Sequence, residues 1–131
     1  MAAGASVAAG VSAGEPIPIV GGTGALGFGL ALRLAAAGRH VVIGSRDAGR
    51  AEEAARKVRD QVPEAEVEGA EGPEAPRGPI VFLAVPFRAQ SENLTNLQGA
   101  LGPGQILVDS TVPLAAAVSG KATRLVGVPL V

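Results

Sequence analysis

The stretch PIPIVGGTGALGFGLALRLAAAGRHVVIGSR, residues 16–46, carries the strongest structural signal in the chain. It opens with a short apolar run, breaks into glycines, continues as a segment rich in Ala and Leu, and returns to β-branched residues. The apolar runs Ile17–Val20 and Val41–Ile43 are typical of buried strands. Between them, Leu26–Ala37 is predicted to be a helix that ends at Gly38. The stretch therefore predicts a strand–helix–strand unit with a glycine loop at its first turn.

The rest of the chain continues this alternation. We predict five further elements: a helix over Ala48–Val62, a short strand around Val67, a strand over Ile80–Val85, a helix over Arg88–Leu101 and a strand over Ile106–Val108. A helical stretch around Leu114–Val118 and an apolar piece, Leu125–Val131, follow. The order predicts an α/β fold, a doubly wound and mainly parallel sheet of the Rossmann type with helices on both faces.

Three details sharpen this prediction. Asp47 directly precedes a predicted helix and is a natural N-cap. The segment Glu68–Pro79 is rich in Pro and Gly, so it is predicted to be a loop in which the usual helix is lost or reduced to one turn. Ile80–Val85 is apolar throughout, as expected of a central parallel strand covered on both faces.

The length of 131 residues suits one domain. We expect residues 1–15 to form a flexible N-terminal tail and residues 16–131 to form the domain. The chain ends inside the apolar run VGVPLV, and we therefore expect a further C-terminal part to be missing.

Composition argues against several classes of function. A net charge of −1 with mixed signs does not favour nucleic-acid or membrane-surface partners. The absence of Cys excludes disulfides and thiol catalysis. The single histidine, His40, is expected at the surface of a helix–strand turn, so we predict neither a metal site nor a catalytic triad. Without a signal peptide or a long apolar run, the sequence favours a cytoplasmic protein.

Gly22, Gly24 and Gly27 form the pattern G-x-G-x-x-G after a predicted strand and at the start of a predicted helix. In this pattern Gly22 allows a tight turn, Gly24 lets a pyrophosphate approach the backbone, and Gly27 lets the helix pack closely on the strand. The free N–H groups and the dipole of the helix attract the anion. The loop therefore predicts a dinucleotide site, against the alternative of a glycine-rich turn without a ligand.

A second spacing overlaps the first. Gly21, Gly24 and Gly27 also satisfy G-x-x-G-x-x-G, the spacing of short-chain dehydrogenases. Classical members of that group need a Tyr-x-x-x-Lys pair, and this chain has no Tyr. Their chemistry is excluded, while an atypical relative without it stays open.

The end of the second strand indicates which dinucleotide is bound. NAD enzymes usually place Asp or Glu here to hold the ribose hydroxyls, whereas this chain reads GSR at residues 44–46. The Ser45 hydroxyl and the Arg46 guanidinium, with Arg50 one helical turn further on, match the chemistry of a 2′-phosphate. We predict NADP(H) rather than NAD(H).

The charges around this strand end allow other interpretations. Arg46 and Arg50 are alternatively solvated and paired with Glu52 or Glu53. Asp47 is expected to cap the following helix rather than to hold the ribose.

The longer segment GGTGALGFGLALRLAAAGRHVVIGSRDAGRAEEA resembles the N-terminal part of the NADPH-dependent reductases of coenzyme F-420, a 5-deazaflavin. The double glycine before Thr23, the helix sequence LGFGLALRLA and the ending GSR are together more specific than the glycine motif alone. FLAVPF and ILVDSTVPL fall where that family has its fourth and fifth strands. The resemblance extends from Ile17 to Val118.

This resemblance implies hydride exchange between NADPH and C5 of the deazaflavin, with the two rings stacked and no acid–base pair. It implies NADP(H) as cofactor, coenzyme F-420 as co-substrate and no catalytic side chain. The cofactor-binding residues that it implies are Thr23, Gly24, Ala25 and Leu26 at the pyrophosphate, Ser45, Arg46 and Arg50 at the 2′-phosphate, and Phe87 and Val112 beyond the strand ends.

Two departures from the family keep alternatives open. The loop Glu71–Pro79 is short where relatives carry a helix, and the C-terminal portion that helps to form the deazaflavin pocket and the dimer has no counterpart here. We interpret the chain as an NADP-dependent oxidoreductase or its nucleotide-binding part. The alternatives are an NADPH-binding or sensing module without turnover and another NADP-dependent reductase, such as an imine or pyrroline-carboxylate reductase relative. The expected partners are small molecules, with a homodimer left open.

Overall fold

The computed structural model describes residues 14–113. The expected tail up to residue 13, the helical stretch Leu114–Val118 and the apolar piece Leu125–Val131 lie outside the described residues. The elements, in chain order, are β1 (Ile17–Val20), α1 (Ala25–Ala36), β2 (Val41–Ser45), α2 (Ala48–Gln61), β3 (Val67–Glu71), β4 (Ile80–Leu83), α3 (Gln90–Leu97) and β5 (Ile106–Asp109). Short 3-10 turns precede β4, at Gly72–Glu74, and α3, at Phe87–Ala89.

The sheet within residues 14–113 is parallel and has the strand order β3-β2-β1-β4-β5. The chain moves outward from β1 to β3, returns to the other side of β1, and moves outward again through β4 and β5. Because such crossovers are right-handed, α1 and α2 cover one face of the sheet and α3 the other. This confirms the predicted doubly wound, Rossmann-like fold. The direction reverses between β1 and β4, so a crevice opens at their carboxyl ends.

The core lies between the sheet and the helices α1 and α2. Ile19, Val41 and Ile43 are fully buried and belong to one cluster with Ala31 and Ala35 of α1. The contribution of α2 to the same cluster comes from Ala54, Ala55 and Val58. Small alanine side chains let both helices lie close to the strands, and Phe28 and Phe82 pack against this cluster from its edge as partly buried residues.

β3 is longer than the sequence pattern indicates. The residues from Glu68 to Glu71, which we expected in a loop, pair with β2 in a register that runs from Val42↔Glu68 to Ser45↔Glu71. β3 lies at the edge of the sheet, where polar side chains are tolerated, so the pattern of apolar residues does not reveal it. The expected single turn after it is confirmed at Gly72–Glu74.

β4 is covered less evenly than expected. Val81 and Leu83 are buried, whereas Ile80 and Phe82, on the other face, are only half-buried. The prediction of a strand covered on both faces was therefore wrong for one face of β4. A continuous apolar run indicates burial on both sides, but the helices α1 and α2 pack mainly over β1, β2 and β3.

α3 is shorter than the predicted helix Arg88–Leu101. A 3-10 turn occupies its first residues, and the helix ends at Leu97 because Gly99 and Gly102 follow. Leu97 is buried, while Leu101 is only half-buried.

The glycine loop between β1 and α1 is shaped by close backbone packing. A Cβ at Gly27 would lie 2.5 Å from the carbonyl oxygen of Gly21 and 2.7 Å from the Cα of Gly22. A Cβ at Gly24 would meet nothing nearer than 3.6 Å. The predicted role of Gly27 in close packing is confirmed, whereas the fold leaves room for a side chain at Gly24.

The tight turn belongs to Gly21 rather than to Gly22, to which we assigned it. Gly21 has a φ of +82°, which L side chains rarely adopt. Gly22 instead allows a close approach to β2, because a Cβ there would lie 2.8 Å from Cγ2 of Ile43.

A charged cluster ties the amino ends of β2 and β3 to the loop before β4. His40 Nε2 lies 3.2 Å from one carboxylate oxygen of Glu68, and Arg77 donates a hydrogen bond to the other. The hydrogen bond from Arg77 is the main cause that holds the pKa of Glu68 below its ordinary value, with His40 adding to it and burial opposing it. With 22% of its side chain exposed, His40 is a paired residue rather than the surface residue that we expected.

We expect Gly27→Ala to lower the free energy of unfolding by about 1–3 kcal/mol, because the new methyl group overlaps the loop backbone. Gly24→Ala should cost at most about 1 kcal/mol, through a poorer N-cap. Urea denaturation followed by circular dichroism measures both. Equal losses in the two variants would contradict the packing described for the loop.

A second prediction concerns the dependence of stability on pH. Because the folded state lowers the pKa of Glu68, the ionised carboxylate adds stability above its unfolded pKa, and this stability is lost as pH falls through the folded pKa. We expect Glu68→Gln to cost about 0.2–1 kcal/mol at neutral pH, as is typical of exposed pairs, and to cost less at an acidic pH that approaches the folded pKa. Glu64→Gln, at an exposed residue before β3, is the control. A cost that stays the same between the two pH values would argue against the charged cluster.

Candidate functional site

A cleft of about 520 Å³ opens at the carboxyl ends of β1, β2 and β4. Its walls come from the glycine loop, the end of β2, the turns that follow β3 and β4, and one side of α3. This is the crevice that the reversal of strand order creates between β1 and β4. Its volume is in the range of small-molecule and cofactor sites.

The glycine loop and the start of α1 form one wall of the cleft. Thr23 and Gly24 line it, and Gly24 is also the N-cap of α1. No side chain caps this helix and its first turn holds no acidic residue. The N–H groups of the first turn therefore keep the partial positive charge of the helix end, which attracts a phosphate group. The missing side chain at Gly24 leaves the backbone open on this side.

The other predicted residues of the loop do not line this cleft. Gly22 and Gly27 are buried in the packing between the loop, α1 and β2. Ala25 lines a neighbouring groove of about 410 Å³ between α1 and α2, and the Leu26 side chain is exposed to solvent. The first turn of α1 contains Ala25, Leu26 and Gly27, and its backbone N–H groups are free.

The end of β2 forms a positively charged wall. Ser45, Arg46 and Arg50 all line the cleft, so the structure brings together the three side chains that the sequence indicated for a phosphate. Asp47 lines the cleft as well, but its Oδ1 accepts a hydrogen bond of 3.1 Å from the backbone N–H of Arg50. The predicted N-cap role of Asp47 is thereby confirmed.

Arg50 does not form the ion pairs that we considered as an alternative. Glu52 pairs with Arg59 at 2.5 Å, and Glu53 pairs with Lys57 at 3.2 Å. No carboxylate within residues 14–113 lies within 4.0 Å of the Arg50 guanidinium in the way those pairs do. Arg50 therefore presents an uncompensated positive charge to the cleft.

Arg46 has a partner that the sequence did not indicate. Its Nη1 atom lies 3.4 Å from Oε1 of Glu92, which belongs to α3 on the opposite wall. Both side chains are largely exposed, so the pair contributes little to stability.

Gly44, near the end of β2, lies at a position where there is no room for a side chain. A Cβ at Gly44 would lie 2.8 Å from the Cβ of Ala75, in the turn that follows β3. Both residues line the cleft. The lack of a carboxylate at this position is thus also a packing requirement, which pattern reasoning missed because it depends on the path of a distant turn.

The wall formed by β4 and α3 differs from the prediction in detail. Phe87 and Val112 do not line the cleft, and Val112 lies exposed beyond β5. Pro86 and Ala89, close to Phe87 in sequence, line the cleft instead. Phe87 is half-buried and begins the 3-10 turn that leads into α3, and contact of Phe87 and Val112 with a cofactor stays a prediction.

Two asparagines in this wall were missed. Asn93 and Asn96 line the cleft from α3, and the Asn93 Nδ2 donates a hydrogen bond of 2.9 Å to the carbonyl oxygen of Ala89. Their spacing of three places them on one side of the helix. That spacing, on a helix that follows a strand next to the switch point, is the signal that would have found them.

The side chains that line the cleft are suited to binding a ligand. Its titratable lining side chains are Arg46, Asp47 and Arg50, and Asp47 already serves as a helix cap. Within residues 14–113, no three His, Cys, Asp or Glu side chains gather as a metal site. The arrangement can hold and orient a phosphorylated ligand between a helix N-terminus and two guanidinium groups.

The part of the chain that the structure describes contains no helix of the length and apolar character needed to cross a membrane.

Solved structures with a similar fold include dehydrogenases. Glycerol-3-phosphate dehydrogenase from Coxiella burnetii superimposes with a TM-score of 0.65 at 21% identity, over 79% of this chain and 34% of that one. Lactate dehydrogenase from Cryptosporidium parvum superimposes with a TM-score of 0.64 at 14% identity, over 84% of this chain and 41% of that one. At these identities the likeness shows the fold alone.

Sequence comparisons are more specific. The F420-dependent NADP reductase of Methanothermobacter thermautotrophicus is 42% identical over 116 residues, which cover 84% of this chain and 48% of the relative. The reductase of the same name from Methanocaldococcus jannaschii is 42% identical over 118 residues, which cover 86% of this chain and 52% of the relative. The chain thus spans about half the length of the curated relatives that it matches. The family model of the coenzyme F420-dependent NADP oxidoreductases matches residues 16–113, and the chain belongs to this family.

Proposed function

We propose that the chain binds NADP(H) in the cleft and is the NADP-binding part of an oxidoreductase that exchanges a hydride between NADP(H) and coenzyme F420. The observation that carries the proposal is the pair of guanidinium groups, Arg46 and Arg50, at the end of β2, where an NAD site has a carboxylate. The names of the relatives, F420-dependent NADP reductases, support the same pair of reactants.

The residues of the cleft fit such a cofactor. The open backbone at Gly24 leaves room for a pyrophosphate next to the free N–H groups of α1, since a side chain there would have no protein atom nearer than 3.6 Å. Arg50 supplies an uncompensated charge, and Ser45 a hydroxyl group, for a 2′-phosphate. Asn93 and Asn96 line the opposite wall, and their carboxamide groups can both donate hydrogen bonds to a base ring and accept them from it.

When bound, NADPH would supply the hydride that reduces C5 of the deazaflavin by two electrons. The protein's own contribution is to bind and orient: the first turn of α1 neutralises the pyrophosphate, and the end of β2 fixes the ribose phosphate. With its phosphate groups held in this way, the cofactor would supply its hydride from a fixed position. No side chain of the proposed site has to give or take a proton.

The second candidate is a module that binds NADPH without turnover. It is favoured by one observation, namely that the chain spans about half the length of its curated relatives.

We further propose a cytoplasmic location and small-molecule partners, and leave a homodimer as a prediction. The family match favours the deazaflavin over the acceptors of imine and pyrroline-carboxylate reductases.

We expect Arg46→Ala to weaken NADPH binding by about 1–3 kcal/mol, because a charge-assisted contact to the 2′-phosphate is lost. NADH binding should stay nearly unchanged. Fluorescence titration of both nucleotides measures the effect, with Arg56→Ala, which removes an arginine from an exposed pair with Asp60, as the matched control. An equal loss for both nucleotides would contradict the role of Arg46 at the 2′-phosphate.

Turnover is tested by mixing the 131-residue chain with NADPH and oxidised coenzyme F420 and following the absorbance of both. Loss of both chromophores in a ratio of one to one is expected for the oxidoreductase. If NADPH binds but neither absorbance changes, the binding module is the better description. Absence of NADPH binding would overturn both candidates.

A further inference from the structure

An ion pair joins Arg46, which lines the cleft, to Glu92, the neighbour in sequence of the lining residue Asn93. Arg46 follows β2 and Glu92 lies in the first turn of α3, so the contact joins the two walls across 46 positions of sequence. The atoms are 3.4 Å apart, and the side chains are 80% and 64% exposed. The carboxylate of Glu92 is thus held beside the guanidinium to which the proposed function assigns the 2′-phosphate.

The two cations of the cleft are therefore unequal. Arg50 has no carboxylate within ion-pair distance among residues 14–113, whereas Arg46 has Glu92. Any dianion that approaches this wall meets one free guanidinium and one that is already in contact with a negative charge.

A phosphate and Glu92 compete for the same donors. The guanidinium offers five N–H groups in a planar fork, and phosphate binds such a fork in a bidentate way with two negative charges. The carboxylate reaches one Nη atom at a distance near the limit of a hydrogen bond. Once phosphate is bound, Glu92 is a like charge a few ångströms away, and the repulsion opposes binding. A contact so long and so exposed does little to hold Arg46 in a productive position, so repulsion outweighs any ordering of the side chain.

We propose that Glu92 is a specificity-determining residue, which lowers the affinity of the cleft for NADP(H) while leaving that for NAD(H) unchanged. This inference rests on the proposed function. Glu92 tunes the discrimination between the two nucleotides through Arg46, because its charge is felt only where the additional phosphate binds.

Glu92 also has an ordinary structural role, and the test must separate the two. An acidic residue in the first turn of a helix interacts favourably with the helix dipole, and Glu92 occupies that turn of α3. Loss of this interaction would lower stability, but it would not change the ratio of NADP⁺ to NAD⁺ affinity.

The experiment is a calorimetric titration of the full chain and of Glu92→Gln with NADP⁺ and with NAD⁺. We expect Glu92→Gln to tighten NADP⁺ binding by about 3- to 10-fold, as removal of one like charge near a phosphate does, and NAD⁺ binding to change by less than about 2-fold. The gain should shrink at about 0.5 M salt, where exposed charges are screened. Asp60→Asn, which removes an exposed and paired carboxylate at the far end of α2, is the control for net charge.

Each outcome is decisive. Unchanged or weaker NADP⁺ binding in Glu92→Gln, or equal tightening for both nucleotides, overturns the inference. If the full chain binds NADP⁺ and depends on Arg46 while Glu92→Gln is neutral, the inference alone fails and the proposed function stands. If the full chain does not bind NADP⁺ at all, the proposed function and the inference fail together.

Discussion

The approach of Gly27 to the backbone of Gly21 and Gly22 is the contact on which the rest of the structure depends. A separation of 2.5 Å between a hypothetical Cβ and the Gly21 oxygen means that α1 begins directly against the end of β1. The free N–H groups of the helix are thereby directed into the crevice. The Gly21 N–H in turn donates a hydrogen bond of 3.1 Å to the carbonyl oxygen of Gly44, so the same loop is tied to the end of β2. The helix end and the arginine wall are positioned by one set of backbone contacts.

The two ends of the sheet use charge differently. At the amino ends of the strands, Glu68 is satisfied by His40 and Arg77, and its lowered pKa reflects this pairing. At the carboxyl ends, Arg50 has no such partner among the described residues, and Arg46 has a long and exposed one. An exposed, unpaired arginine contributes little to stability. The charges at the amino ends of the strands hold β2, β3 and the loop before β4 together, whereas the arginine side chains at the carboxyl ends are not held in this way.

Much of this arrangement could be predicted from the sequence, because it depends on local patterns. The apolar runs of β1 and β2, the glycine spacing and the N-cap Asp47 are each encoded within a few residues, and all are found in the structure. What could not be predicted depends on tertiary context. The edge strand β3 is largely polar after Val67, so its extent was missed. The reason for Gly44 lies in the distant Ala75, and the partner of Arg46 is 46 residues away. The half-exposed face of β4 was missed for the same reason, since the coverage of a strand depends on where helices from other segments pack.

The division of labour within the first half of the chain has a consequence for how cofactor preference can evolve. In the proposed function, the glycine loop binds the pyrophosphate that both nicotinamide dinucleotides share, and Gly21, Gly22 and Gly27 have no room for a side chain. The residues proposed to contact the 2′-phosphate, in which the two dinucleotides differ, are Ser45, Arg46 and Arg50, and the two arginines are exposed. Arg46 and Arg50 make no core contact, so substitutions at these two residues could change which dinucleotide is preferred without weakening the fold, whereas Gly44 and Asp47 are constrained by packing and by the helix cap. In the proposed function, binding of the shared part of the dinucleotide and discrimination between the two dinucleotides thus depend on adjacent but separate parts of one short segment.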